Sequence, residues 1–286
     1  MPPVLGKENE LKKSLIICCT CLMLFGLMAC TAKTPPAKEI ENPVIRLSTT
    51  TSVNDSGLLP YLQPHFEGDT GYKIEIISAG TGAAIEKART GDADCLLVHA
   101  KSSEEAFIGE GFGEERLPFM FNYFVIVGPD DDPAGIKDAT TAAEAFKAIA
   151  DSGAKFVSRG DESGTHVKEL KIWEDAGIDP TDADWYISVG AGMGQTLTVA
   201  DEELAYTLSD KATFLAHDNS LTLLKEEAED MKNTYSLIAI TPERWKDTNY
   251  AGALAFIEWM TSPKALDLID AYGVAEYGEP LFFSMR

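Results

Sequence analysis

Three segments gather hydroxyl, glycine and amide groups in a way that could hold a small anion. They are Thr49-Thr50-Thr51-Ser52, Ser78-Ala79-Gly80-Thr81-Gly82 and Ser158-Arg159-Gly160-Asp161-Glu162-Ser163-Gly164-Thr165. Each follows a run of β-forming residues and precedes apolar residues at helical spacing, so each reads as a turn from strand into helix. A helix start carries backbone N–H groups with no intrahelical acceptor and a partial positive charge, which together favour an anion. The third segment is the most specific, because it sets a guanidinium four residues before a Ser-Gly-Thr helix start. One such turn is ordinarily an N-cap and nothing more; three on successive units point to a shared ligand.

The elements that must position these turns alternate along nearly the whole chain. Val44 to Leu47, Lys73 to Ser78, Cys95 to Val98, Tyr123 to Val127, Lys155 to Ser158, Trp185 to Val189, Ala205 to Leu208 and Tyr235 to Ile240 read as strands. Helical periods run between them, among them a helix opened by the capping box Thr141-Ala142-Ala143-Glu144 and one from Ser163 to Ala176. In that second helix Val167, Leu170 and Trp173 read as a core-facing side. The alternation argues for α/β architecture with mainly parallel sheets and ligand turns at the carboxyl ends of strands. Gly128-Pro129-Asp130-Asp131-Asp132-Pro133 is a turn or crossover. The economical division is a first lobe of residues 44–128 plus 236–286 and a second, 129–235, inserted into it. Two crossovers and a cleft follow.

Before the body, Lys7, Lys12 and Lys13 precede an apolar run, Leu15 to Met28, that is too short for a comfortable bilayer span. It ends in Leu27-Met28-Ala29-Cys30, which resembles a lipobox. Residues 1–29 are therefore expected to be a lipoprotein signal peptide, Cys30 the lipidated residue, and 30–43 a tether, with the product anchored on the extracytoplasmic side. Cys18, Cys19 and Cys21 leave with the leader, so Cys95 is the one thiol left and no internal disulfide is expected.

The chain has 286 residues, 24 Lys plus Arg against 46 Asp plus Glu, and a formal charge of −22. With 45% hydrophobic and 24% charged residues it is globular in composition, which excludes disorder, collagen and a polytopic membrane protein. The charge leaves no basic surface for a run of phosphates, so nucleic acid is not an expected partner. It also excludes long-range steering as the means of capturing an anion, leaving contact-range donors to do it. Enzyme signatures are missing. Ser163 lies in Gly160-Asp161-Glu162-Ser163-Gly164, which is not a nucleophile elbow, no phosphate-binding loop with Gly-Lys-Ser/Thr occurs, and Gly190-Ala191-Gly192-Met193-Gly194 has the wrong spacing for a dinucleotide turn. His65, His99, His166 and His217 are scattered, and Asp130-Asp131-Asp132 lacks the alternate positions of a calcium loop, so neither a metal nor any other cofactor is expected.

The Arg159-x-x-x-Ser163-Gly164-Thr165 turn resembles the oxyanion turn of phosphate-type periplasmic binding proteins, the solute receptors of ABC importers. The hydroxyl run with Asn54-Asp55-Ser56-Gly57-Leu58-Leu59 behind it is similar to the signature of their tungstate-binding relatives, the Tup type. Leu97-Val98-His99-Ala100, Gly192-Met193-Gly194-Gln195-Thr196-Leu197 and Tyr206-Thr207-Leu208-Ser209-Asp210 fit the same pattern, which covers essentially the whole mature chain. The resemblance implies a two-lobed type II binding protein, a monomer, that closes on a tetrahedral oxyanion and delivers it to an ABC permease. It implies donors from Thr50, Thr51, Ser52, Thr81 and Gly82 on one lobe and from Arg159, Ser163, Gly164 and Thr165 on the other, with His99, Met193 and Gln195 as further candidates. Which of the consecutive threonines points inward is left open. Lys211 departs from the pattern, since relatives often carry Arg there. Phosphate receptors use a carboxylate acceptor for the ligand's proton, and His99 stands in the corresponding place. A fully deprotonated dianion is therefore the expected ligand: tungstate first, molybdate next, with a phosphate or sulfate receptor, or an extracytoplasmic hydrolase, as the alternatives.

Overall fold

The computed structural model describes residues 40–226 and 229–286. The leader, Cys30 and most of the tether lie outside the described residues. In chain order the elements are β1 (Val44–Thr50), α1 (Thr51–Asp55), α2 (Leu58–Thr70), β2 (Lys73–Ala79), α3 (Thr81–Arg89), β3 (Cys95–Val98), α4 (Lys101–Gly109) and β4 (Leu117–Gly128). They continue with α5 (Ala142–Ser152), β5 (Phe156–Ser158), α6 (Gly164–Asp175), β6 (Tyr186–Ser188), α7 (Met193–Glu202), β7 (Tyr206–Asp210), α8 (Lys211–Ala216) and β8 (Thr222–Lys225). The last are β9 (Lys232–Ala239), α9 (Tyr250–Met260), α10 (Pro263–Ala271), α11 (Val274–Tyr277) and β10 (Phe283–Ser284). Among the described residues no helix is long and apolar enough to cross a membrane.

The strands run in the order β2-β1-β3-β9-β4-β7-β5-β6, with β8 and β10 also on β4. Pairing is mixed, which corrects the expectation of mainly parallel sheets. β1 pairs in parallel with β2 and β3, and β5 with β6 and β7, but every pairing of β4 and β9 is antiparallel. The reason is topological: the chain leaves the first half along β4 and returns along β9, so the two strands that join the halves must run oppositely.

β4 is the shared strand. Residues up to Tyr123 face β9, and from Phe124 on its partner is β7. Its sequence, Leu-Pro-Phe-Met-Phe-Asn-Tyr-Phe-Val-Ile-Val-Gly, is rich in β-branched and aromatic residues that suit burial on both faces. Pro118, which cannot donate to a ladder, sits at the irregularity between Pro118 and Met120.

Each half is a three-layer stack. In the first, Ile45, Leu47, Leu97 and Leu237 pack against Phe66, Phe256 and Met260 of α2 and α9. The alternate residues Leu96, Val98 and Ile238 pack against Ala84, Ile85 and Phe107 of α3 and α4. In the second, Phe124, Ile126, Phe156 and Tyr206 meet Phe146 and Trp173, while Val125, Val127 and Val157 meet Leu197 and Phe214. These alternations are the period of two that a sheet covered on both faces requires. α8 joins the two: Ala212 lies in the first core, and Leu215 packs on both the first core and the Val125 cluster.

Thr141 caps its helix, with Glu144 N–H donating to Thr141 Oγ1 at 3.1 Å, while the Glu144 carboxylate reaches back one residue further than a capping box requires and accepts from Thr140 N–H at 2.8 Å. The α6 face is a correction. Trp173 is buried at 1% exposure, but Val167 and Leu170 are 52% and 44% exposed. The buried stripe is Thr165, Glu169, Ile172 and Trp173, spaced i, i+4, i+7, i+8. That spacing is equally helical, and α6 turns this side inward because its first turn must meet the residues after β3. Cys95 is a free, buried thiol whose pKa burial pushes up, so it is inert.

Candidate functional site

The three turns meet. A small cavity of about 10 Å³ is lined by Thr50, Thr51, Ser52, Gly80, Thr81, His99, Arg159, Ser163, Gly164 and Thr165. About 10–15 Å³ of such space is needed for a single water, so the walls stand almost closed on each other and a polyatomic anion needs them to part. β1 delivers the first group: Thr50 is the N-cap of α1, and Thr51 and Ser52 begin it. The hydroxyl run resolves by pleat. Thr49 donates its Oγ1 hydrogen to Leu97 O at 2.8 Å, across to β3, while Thr50 and Thr51 reach the cavity. Gly80 caps α3, whose first residue is Thr81.

From the other side, β5 ends at Ser158 and Arg159 follows. Arg159 is 3% exposed and donates from Nη2 to Asp161 Oδ2 at 2.6 Å. Asp161 Oδ1 accepts from Ser163 N–H at 3.2 Å, so one carboxylate ties the guanidinium to the start of α6. Burial works to raise the Asp161 pKa, but the bonds from Ser163 and Arg159 outweigh it and hold the carboxyl below its ordinary range. The turn requires glycine at 160: φ is +61°, and a Cβ there would sit 1.9 Å from Ser188 Oγ. Ser163 Oγ accepts from His166 N–H at 3.2 Å as the N-cap, and His166 Nδ1 accepts from Glu162 N–H at 3.0 Å. The His166 ring nitrogen thus turns to Glu162 N–H rather than to Ser163 Oγ, and the two side chains do not face each other as nucleophile and base. Below them Glu169, buried against Tyr186 OH at 2.7 Å and Trp173 Nε1 at 3.3 Å, has its pKa pushed up to about 7 by burial.

Among the buried donors that have no partner among the described residues are Arg159 Nε and Thr81 Oγ1. Each such orphan costs about 1–3 kcal/mol. Both belong to residues lining the cavity, one from each side, and no carboxylate lines it. The arrangement offers hydrogen-bond donors, helix starts and one guanidinium, itself paired with Asp161, to whatever fills the space.

Gly164 is where the walls touch. A Cβ on it would meet His99 Cε1 at 2.5 Å. His99 itself is pinned from behind: Nδ1 lies 2.8 Å from Asn233 Oδ1, and Asn233 Nδ2 donates to Asn122 Oδ1 at 2.9 Å and to Tyr235 OH at 2.8 Å. The ring packs on Tyr235 with centroids 4.8 Å apart, and its Nε2 is 3.4 Å from Ser52 Oγ. Burial, aided by the positive charge of Arg159, lowers the His99 pKa to about 4 against the bond with Asn233.

Thr50, Thr51, Ser52, Thr81, Arg159, Ser163, Gly164, Thr165 and His99 are thus brought together. Gly82 is not; it is exposed on α3, and Gly80 takes its place on the wall. Gln195 is exposed on α7 and lines none of this space, because the inward face of that helix is Met193, Thr196, Leu197 and Ala200. Met193 lines an adjoining space that shares Thr51, Ser52 and Arg159 with the cavity and adds Asp55 and His217. On the opposite flank, a wider cleft sharing His99 and Gly164 is lined by Lys101, Arg116, Lys168, Lys171 and Lys232 against a single carboxylate, Glu105. These cations come from four separate stretches of the sequence, and three of them are paired: Lys101 with Glu105, Arg116 with Glu104, and Lys171 with Glu174 and Asp175. Asp161, Asn122 and Asn233 were missed from sequence. Asp161 lies inside the third turn and could have been found there; Asn233 is 134 residues from His99 and could not.

Residues 37–264 match a PBP superfamily domain. The chain is 43% identical over 275 residues to the tungstate-binding protein TupA of Peptoclostridium acidaminophilum, across 93% of this chain and 96% of that one. It belongs to the TupA family within the PBP superfamily. Among solved structures of that family's kind, the tungstate ABC transporter structure from Geobacter sulfurreducens is 44% identical with a TM-score of 0.75, covering 80% of this chain and 98% of that one. The tungstate-binding protein TupA of Desulfovibrio alaskensis G20 is 38% identical, also at a TM-score of 0.75, covering 85% of this chain and 99% of that one. The fold is accordingly the two-lobed type II periplasmic-binding-protein fold, and the cavity lies where the two stacks meet.

Proposed function

We infer that this chain is the solute-binding protein of an ABC importer, that it captures tungstate, with molybdate as nearest competitor, and that it hands the anion to its permease. The observation that carries the reading is the cavity: donors and one guanidinium on its walls, no carboxylate, and Arg159 Nε and Thr81 Oγ1 left without partners. Such a lining favours an anion that brings only acceptors. Similarity to proteins that bind tungstate supports the choice among dianions. Charge-assisted hydrogen bonds contribute about 1.5–3 kcal/mol each, and nanomolar affinity needs roughly 12 kcal/mol, so six to eight donors suffice even after the cost of closing.

In this proposal residues 44–128 plus 236–286 and residues 129–235 are the lobes, β4 and β9 are the hinge, and closure brings Arg159 and the start of α6 onto Thr50 to Ser52 and Thr81. Lys211, packed at 7% exposure between Glu226 at 2.6 Å and Glu279 at 2.8 Å, ties the inserted segment to the C-terminal one. The protein is held outside the cytoplasm as a monomeric lipoprotein through Cys30. Calorimetry with tungstate, molybdate, sulfate and phosphate tests the reading: tight tungstate binding is expected, and tight phosphate binding with no tungstate response would overturn it.

A further inference from the structure

Every side chain on the cavity wall that carries a polar hydrogen can donate it, except one. The chain of amides behind His99 determines its form. Asn233 spends both Nδ2 hydrogens on Asn122 Oδ1 and Tyr235 OH, so its Oδ1 faces His99 Nδ1 and requires a hydrogen from it. A neutral ring protonated at Nδ1 has a bare lone pair at Nε2. That lone pair points to Ser52 Oγ, 3.4 Å away, and so draws on the Ser52 hydrogen, which has Thr50 Oγ1 at 3.1 Å as its other neighbour. With the site empty, this suits the protein. With a dianion in place it does not, since four acceptor oxygens then face a wall on which one nitrogen offers a lone pair and one serine has its hydrogen turned away. The charges add to the problem. Arg159 is already matched by Asp161, so a dianion enters a cavity whose fixed charges sum to nothing.

We propose that His99 is the proton-taking group of the site: capture of one dianion is accompanied by uptake of one proton from solvent at Nε2. The step breaks no covalent bond. The imidazole becomes an imidazolium, Nε2–H donates to Ser52 Oγ, and the Ser52 hydrogen is released to the anion, so the loaded cavity carries one net negative charge rather than two. His99 acts here as a positioning residue through Ser52. The charged groups around it come from several elements: Arg159 after β5 opposes protonation, and the neighbouring cleft holds Lys101 on α4, Arg116 before β4, Lys168 on α6 and Lys232 on β9, with Lys101 paired to Glu105 and Arg116 to Glu104. Tyr235 on β9 stacks on the ring, and Glu105 on α4 is the one carboxylate of the neighbouring cleft. In the empty site burial and Arg159 keep the ring neutral; the dianion replaces that repulsion with a stronger attraction. Asn122 Nδ2 is left without a partner behind the network, and a network of reversed polarity would put a hydrogen on Nε2 before any ligand arrives, which the experiment reads directly.

The proposal rests on the oxyanion reading and is tested separately from it. Tungstate is titrated into the protein at pH 7 in buffers of different ionisation enthalpy, and ¹⁵N-histidine spectra are recorded empty and loaded. The expected result is uptake of close to one proton, a His99 Nε2 signal that changes from unprotonated to protonated type on loading, and affinity that weakens up to tenfold per pH unit above neutrality. In H99Q the proton uptake should vanish while weaker binding persists. Heat independent of buffer, an Nε2 already protonated in the empty protein, or undiminished uptake in H99Q, which would place the proton on Asp210 or Glu169, overturns the proposal while leaving tungstate capture standing. Absence of any binding overturns both. If H99Q does not fold, the wild-type spectra decide alone.

Discussion

The two walls of the cavity hold the same kind of donor by different means. The wall formed by Thr50, Thr51, Ser52, Gly80, Thr81 and His99 carries hydroxyls and a neutral ring on helix starts that leave parallel strands of the first half. The facing wall, Arg159 and Ser163 to Thr165, carries the charge, and its turn is braced internally by Asp161 and by a positive-φ glycine. The first wall is therefore a general polar lining, and the second adds the one guanidinium. The difference teaches that a guanidinium and a set of hydroxyls can be held on separate halves of one sheet and still line one space.

The largest expected effect comes from removing the charged wall's cation. Arg159→Ala takes away more than one charge-assisted bond at about 1.5–3 kcal/mol each and leaves Asp161 unopposed beside the anion, so affinity should fall at least 100-fold in calorimetry with the melting temperature changed little. Retained affinity would mean the walls are not divided in this way. Next is the contact between them. Gly164→Ala forces a Cβ to within 2.5 Å of the pinned His99 ring; overpacking costs roughly 1–3 kcal/mol, or about 5- to 150-fold in affinity if it is felt on closure.

Thr81→Val tests the hydroxyl wall. It should weaken binding about tenfold, one hydrogen bond's worth, while leaving the empty protein as stable or slightly more so, because Thr81 Oγ1 has no partner there. A loss of stability without loss of affinity would make that hydroxyl structural. Lys211→Met removes the tie between Glu226 and Glu279; with both carboxylates partly exposed the effect should be small, a few-fold faster release in stopped-flow.

The smallest effect lies beneath the charged wall. Burial holds the folded-state pKa of Glu169 at about 7, above its ordinary 4.5. The folded protein then binds more protons than the unfolded one between those values, so this group's contribution is full below about pH 4.5 and is lost as pH rises through 7. Glu169→Gln should flatten the fall in melting temperature between pH 5 and 8 without changing ligand affinity at pH 7 by more than a few-fold.

The charged wall was the more legible from sequence because it is local: Arg159, Ser163, Gly164 and Thr165 lie within seven residues, and a strand followed by a helix positions them. The hydroxyl wall was legible as two separate turns, though not the choice between Thr49 and Thr50, which the register of β1 against β3 decides. Val167 and Leu170 misled because a helix with two apolar-looking stripes is oriented by what it lands on. Gln195 was drawn in by a string of neighbours whose inward members are others.

The sequence by itself determined the chemistry of this protein: backbone N–H groups at helix starts, hydroxyls and one guanidinium are consequences of residue type and of hydrogen bonds a few residues long. Tertiary structure alone decided that these groups face one space, that a ring nitrogen held by a residue 134 positions away joins them, and that cations from four stretches of an acidic chain line the cleft beside it. Those outcomes depend on β4 and β9 carrying the chain out and back across the sheet, and pairing between strands so far apart in sequence leaves no local trace.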